Sequence, residues 1–314
     1  MSSATSSSAT SPVTATEPAT PSTAPMPGLA RASLAAIIAN VAIIVTGGIV
    51  RITASGLGCP DWPTCEGGSV VPQASTAEWH TFIEFGNRLM TFVVLAVAVW
   101  VVLAARREAA DRRDIRRLAL VQPVGVLLQA VLGGITVLTQ LSPLVVASHL
   151  LASMVLVAAA VVLHDRVTAS TTGPADRVPG LRALTAVVVA AAAAVVVLGT
   201  LVTASGPHSG GAPGTRRLGL DIRTIAVAHA DAVWLLVGCT VAVLLVARSA
   251  GAVRTARAAA ILLGLELAQG ALGYAQYALG VPPAPVVVHL LGAALVWIAA
   301  WRVALAVRPR SSAG

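Results

Sequence analysis

Three histidines and one polar stretch hold the side chains with which this chain could do chemistry. His149 (SHLLAS), His229 (VAHADAV) and His289 (VHLLGA) each lie inside a long apolar run. The stretch HTFIEFGNRL, residues 80–89, begins another such run and carries His80, Glu84, Asn87 and Arg88. Ionisable groups are costly in lipid, so inside a membrane they are rare and usually have a use. Imidazoles from separate helices at one depth can grip a metal between them. Haem iron is the natural candidate, because it takes axial histidines and its macrocycle suits an apolar helix bundle. A zinc site would want three or four crowded ligands, and the sequence offers no such cluster. The competing reading of one buried histidine is a hydrogen-bonded structural residue. The pair His229/His289, echoed by His149, favours the metal.

His80, Glu84 and Asn87 stand at i, i+4 and i+7, on one helical face. Arg88 follows Glu84 by one turn. Two readings stay open for the carboxylate: a structural Glu–Arg pair, or a proton acceptor or negative charge beside a bound substrate. His80 lies nearer the surface. His164, at a span end, and His208, in a polar loop, are expected to be solvated.

Positioning these groups falls to membrane-spanning helices. The chain has 314 residues, 56% hydrophobic and 11% charged. Soluble domains carry about 25% charge, so an ordinary soluble core is excluded. A span needs roughly 20 mainly apolar residues. Eight runs qualify, near 32–52, 78–104, 117–139, 144–164, 183–204, 224–247, 257–280 and 285–307. The net charge is +8 and all the basic residues are arginine. In a soluble protein that excess would suggest nucleic acid; here it reports topology, and no nucleic-acid partner is expected. Sixteen arginines fall on one side of the spans and five on the other. The positive-inside rule then puts both termini in the cytoplasm. Residues 1–31, rich in Ser, Thr, Ala and Pro, read as a disordered cytoplasmic tail.

An internal repeat organises the spans. QAVLGGITVLTQLSPLVVASHLLASM, from Gln129, aligns without a gap on QGALGYAQYALGVPPAPVVVHLLGAA, from Gln269. Gln129 pairs with Gln269, Gly133 with Gly273, Pro143 with Pro283 and His149 with His289. TASG at 53–56 recurs at 203–206. Spans one to four thus resemble spans five to eight, and an even number of spans gives the halves the same orientation. The second and sixth spans set Asn87 against His229. All three histidines then lie roughly five or six residues inside the outer ends of their spans, at one depth. The fold class is all-α: a polytopic membrane protein of eight helices in two parallel, pseudo-repeated four-helix bundles. The expected divisions are an N-terminal half at 32–166, a cytoplasmic linker at 167–182, a C-terminal half at 183–307 and a short tail at 308–314.

The loop after the first span reads ITASGLGCPDWPTCEGG. Cys59 and Cys65 fall on the outer, oxidising side, where disulfides persist, and a bridge between them is expected. Its short loop limits its chain-entropy contribution. It could shape the loop or exchange electrons. Cys239, in mid-span, reads as a small packing residue.

Taken together, these residues resemble the haem A synthase family. GGIVRITASGLGCPDWPTC is similar to that family's signature after its first helix. IEFGNR resembles its second-helix motif, and SHLLAS and VHLLGA its fourth- and eighth-helix histidine motifs. The resemblance covers about residues 32–307. It implies an oxidoreductase of the plasma membrane that converts the C8 methyl of haem O to a formyl group by two successive hydroxylations through an alcohol, for cytochrome oxidase assembly. It further implies a haem b cofactor on His229 and His289, a substrate haem on His149, and Glu84 as the catalytic residue. A haem O synthase as partner, an electron acceptor of unknown identity and the lipid bilayer complete the implied surroundings. The sequence departs from the pattern at Asn87, where some members carry histidine; amide oxygen is a poor iron ligand, so the substrate iron would keep one open face. Two other classes compete. A membrane b-type dihaem electron carrier predicts a histidine at position 87 and gives Glu84 no role. A transporter predicts broken helices with polar groups at the midplane.

Overall fold

The computed structural model describes residues 25–73, 78–168, 178–208, 210–211 and 214–307. The expected tails at 1–24 and 308–314, and residues 169–177 of the linker, lie outside these. Eight helices follow in order: α1 Pro27–Ile52, α2 Trp79–Glu108, α3 Arg113–Leu138, α4 Pro143–Thr168, α5 Leu181–Ser205, α6 Ile222–Ser249, α7 Val253–Ala278 and α8 Pro283–Ala306. Each is long and apolar enough to cross a membrane. The described residues contain no strand, only an isolated bridge between Glu66 and Ser69. The chain is an all-α, multi-pass membrane protein.

Residues 27–31, expected in the tail, are the first turn of α1. Met26 provides no side-chain cap, but Pro27 suits a first helical position. The missing cap comes from α2: the Glu108 carboxylate accepts the Gly28 amide at 3.1 Å and the Leu29 amide at 3.0 Å. Leu29 is then fully buried.

Each half is a closed ring of four helices. α1 packs on α2, α2 on α3, α3 on α4 and α4 back on α1; α5 to α8 repeat that cycle. α2 and α4 therefore face each other across one ring, and α6 and α8 across the other. The halves meet through α1, α4, α5 and α8. Between them lies a core of small and aliphatic residues: Val157, Val188, Ala192, Val243 and Ala300 are essentially inaccessible. Small side chains let membrane helices approach closely, where dispersion and not the hydrophobic effect holds them. Trp297 of α8 fixes the seam by donating its indole N–H to the Met154 carbonyl at 2.8 Å. Large apolar residues such as Phe92, Leu128, Trp234 and Leu245 point outward, as lipid-facing residues do.

The turns that lead into the two histidine motifs match residue by residue. Between α3 and α4, Gln140 and Leu141 both have positive φ; between α7 and α8, Gly280 and Val281 do. Leu141 N–H bonds Thr136 O at 2.9 Å, and Val281 N–H bonds Gln276 O at 2.7 Å. These pairs differ by the same offset as the sequence repeat, so the repeated sequence builds a repeated turn.

Candidate functional site

The histidine helices are prepared by their neighbours in the same way in both halves. Gln129 of α3 donates to the His149 carbonyl of α4 at 3.0 Å; Gln269 of α7 donates to the His289 carbonyl of α8 at 2.8 Å. One turn further along each donor helix is a glycine. A Cβ on Gly133 would lie 3.5 Å from His149 Cε1, and one on Gly273 would lie 3.4 Å from His289 Cε1. The glutamine thus pins the histidine's backbone, and the glycine gives the ring a flat floor. His229 of α6 has its own floor on α5: a Cβ on Gly199 would come within 3.0 Å of its Cε1.

His149 and His289 occupy the same register, six residues into α4 and α8, and His229 stands seven residues into α6. All three are half-buried. Their Nδ1 atoms are fully enclosed without a hydrogen-bond partner. Enclosed polar atoms without partners cost about 1–3 kcal/mol, so such a set needs a reason. His229 and His289 stand on α6 and α8, the two helices that face each other across the second ring. Among the described residues no three His, Cys, Asp or Glu side chains gather as a bare metal ion would require. Two imidazoles opposed across an apolar ring of helices do fit an iron porphyrin.

The first ring differs at the position facing its histidine. Asn87 of α2 accepts a 2.7 Å hydrogen bond on Oδ1 from Thr46 Oγ1 of α1, so its amide oxygen is already engaged. One turn outward, Glu84 is 5% exposed. Its Oε2 accepts the Cys59 amide at 2.7 Å, and its Oε1 accepts Arg88 Nη2 at 2.7 Å. Arg88 then donates to the carbonyls of Cys59 at 2.7 Å, Thr64 at 2.8 Å and Asp61 at 3.0 Å. The Glu84–Arg88 pair therefore clamps the whole cysteine loop onto α2. Arg88 Nε also donates to Oε1, at 3.2 Å, so that oxygen accepts two hydrogen bonds from one guanidinium while Oε2 accepts the Cys59 amide.

The loop itself is compact. Cys59 and Cys65 form the expected disulfide, and both are fully buried. Gly58 lets the loop touch the start of α2, where a Cβ would fall 2.6 Å from the His80 carbonyl. Trp62 reaches across to lie on Gly134 of α3, next to the glycine that floors His149. The loop is joined to its counterpart by Gly56 N–H to Gly210 O at 2.8 Å, and Arg51 donates to Thr203 O at 2.6 Å and to His208 O. These features make a lid over the outer end of the first ring.

More than half of the chain, residues 30–208, matches COX15-CtaA, the cytochrome oxidase assembly protein family. The chain belongs to that family. Among curated proteins it is similar to the heme A synthase of Exiguobacterium sibiricum, with 34% identity over 38% of this chain and 40% of the relative. It is also similar to the heme A synthases of Lysinibacillus sphaericus, at 31% identity over 37% and 38%, and Bacillus licheniformis, at 33% over 40% and 41%. The matched stretch spans about two fifths of these family relatives.

Two expectations need correction. His164 is half-buried and paired: its Nδ1 lies 3.0 Å from Ser33 Oγ, tying α4 to α1. His208 is half-buried and paired too: its Nε2 lies 2.9 Å from the Val281 carbonyl, tying the α5–α6 loop to the α7–α8 turn. Cys239 packs against the central core as expected. His80 pairs with Ser55 at 3.1 Å and is occupied with holding the loop. Sequence reasoning missed Trp62, Thr46 and the carbonyl contacts of Arg88. It registered Gln129/Gln269 and Gly133/Gly273 as repeated without saying why; their joint spacing from the histidines was the available signal.

Proposed function

We propose that the chain is a haem A synthase, oxidising the C8 methyl of haem O to a formyl group through an alcohol. The observation that carries this reading is the contrast between the rings: one has two opposed imidazoles, the other one imidazole, an amide and a carboxylate under a lid. In this reading His229 and His289 hold a resident haem b, which when bound supplies one-electron redox chemistry beside the substrate half. His149 holds the substrate iron in the N-terminal half, residues 32–166. Asn87, tied to Thr46, gives that iron no second imidazole, so substrate and product can exchange.

Glu84 is the catalytic residue of this proposal. Its negative charge stabilises a developing positive charge, or its carboxylate accepts a proton leaving the substrate. Arg88 and the Cys59 amide hold it at a fixed position, and fixed charge costs no reorganisation during reaction. Trp62 and the loop exclude water over the same site. The arginine distribution supports cytoplasmic termini in the plasma membrane. A haem O synthase would deliver the substrate, and an acceptor of unknown identity would take the electrons.

The test is co-expression with a haem O synthase followed by haem extraction. Alcohol and formyl products are expected; haem O alone would overturn the reading. Glu84→Gln should lower conversion at least about 100-fold while the resident haem spectrum stays unchanged. Full conversion by Glu84→Gln would return Glu84 to a purely structural clamp.

A further inference from the structure

At the arginine-rich end of the N-terminal half, far from the lid, α2 and α3 line an open cavity of about 400 Å³. Val102, Ala105 and Arg106 line it from one face of α2; Arg113, Arg116, Arg117 and Leu120 line it from one face of α3. Four arginines and three apolar residues thus line one cavity at the membrane boundary. Of the nearby acids, Asp111 is exposed in the α2–α3 turn and makes no ion pair among the described residues, and two others are engaged elsewhere. Glu108 caps the first turn of α1, and Asp114 pairs with Arg112 at 3.2 Å and Arg166 at 3.7 Å. None of the four cavity arginines has an ion pair among the described residues. Arg116 is half-buried, and its Nε is fully enclosed without a partner.

We infer that this cavity binds the phosphate-diester headgroup of an anionic membrane phospholipid. Guanidinium forks match phosphate oxygens in bidentate geometry, and basic pockets between membrane helices suit anionic headgroups. The volume lies at the low end of small-ligand sites, about 300–1,000 Å³. The Val102, Ala105 and Leu120 floor suits the start of an acyl chain, which a free anion would not use. The cavity is separate from the histidine pocket: Gly133, which floors His149, lies about 24 Å along α3 from Arg117 at 1.5 Å per residue.

The test uses the full chain purified in detergent with zwitterionic lipid and examined by native mass spectrometry. Dioctanoyl phosphatidylglycerol should be retained as one molecule per chain, and dioctanoyl phosphatidylcholine should not. Arg116→Gln/Arg117→Gln should weaken phosphatidylglycerol retention by roughly 20-fold. The equal charge loss of Arg216→Gln/Arg217→Gln, at the other end of the molecule, should leave retention unchanged. Arg116→Lys/Arg117→Lys preserves the charge that guides insertion and should give a smaller loss, so the comparison survives if the glutamine variant fails to assemble. Equal retention of both lipids would overturn the proposal, as would unaltered retention by the glutamine and lysine variants. Displacement of the lipid by equimolar inorganic phosphate would reassign the site to a free anion and overturn the lipid reading.

Discussion

In the C-terminal half His229 rests on Gly199 of α5; at the matching place in the N-terminal half Asn87 is bonded to Thr46 of α1. Around that one position the halves diverge further. Among the described residues the second ring has no ion pair like Glu84–Arg88, and the cysteine loop with Trp62 belongs to the first ring. The lesson is that a duplicated scaffold can be specialised by changing what stands opposite one retained histidine. In the proposed function, two imidazoles would retain an iron porphyrin, and one imidazole with a fixed carboxylate would favour its turnover.

The largest expected effect comes from breaking the imidazole pair. His229→Ala or His289→Ala should weaken haem b retention at least about 100-fold, read as loss of the low-spin absorbance in the purified protein. His149→Ala should leave that absorbance intact and instead reduce the haem O that co-purifies. If His149→Ala removed the resident haem and the other two did not, the assignment of the halves would be reversed.

A sharper probe makes the first ring like the second. Asn87→His should add a second imidazole opposite His149, hold haem O more tightly and slow its conversion by about tenfold, because extra ground-state binding does not help the reaction step. A second low-spin signal with slowed turnover is the expected outcome. Tighter binding with unchanged turnover would mean that the open face is not needed.

Much of this contrast was legible in the sequence, for identifiable reasons. Apolar runs and arginine bias marked the eight spans, since lipid constrains composition strongly. His149 and His289 stood out because glutamine, glycine and proline repeat in register with them, and aliphatic residues alone could not encode that. The start of α1 was misplaced because its cap, Glu108, comes from the end of another helix. His164 and His208 were misread for a similar reason: their partners, Ser33 and Val281, are distant in the chain, and local polarity suggested solvent. The Glu84–Arg88 pair was visible as i, i+4 spacing. That Arg88 also gathers three loop carbonyls was not, because backbone acceptors leave no trace in side-chain type.

The lid offers a smaller effect. Cys59→Ser opens a short covalent loop and should destabilise the protein by about 2 kcal/mol in the chain-entropy account. A fall in the thermal midpoint, reproduced in the unmodified protein by reductant, is the expected result. The clamp of Arg88 on three loop carbonyls should preserve most lid geometry, so the haem b spectrum should stay unchanged. A reductant effect that persists in Cys59→Ser would point to a different target.

The smallest effect concerns how α2 and α6 begin. Asp221 caps α6 by accepting the Thr224 amide at 2.8 Å and the Thr224 hydroxyl at 2.6 Å, whereas Glu78 makes no side-chain cap for α2. The start of α2 is fixed from outside, by the clamped loop; α6 fixes itself. The Thr224 hydroxyl, then its amide, hold the Asp221 carboxyl below the ordinary aspartate range. A depressed folded value means that the cap's contribution is present above the unfolded value, about 3.9, and fades as pH falls toward the folded one. Asp221→Ala should therefore lower the thermal midpoint slightly at pH 7, with the gap to wild type closing below about pH 4. Glu78→Ala should leave the midpoint unchanged at both pH values. If Glu78→Ala lowered it as much as Asp221→Ala, the two helices would begin by the same means, and the loop clamp would not be what fixes α2.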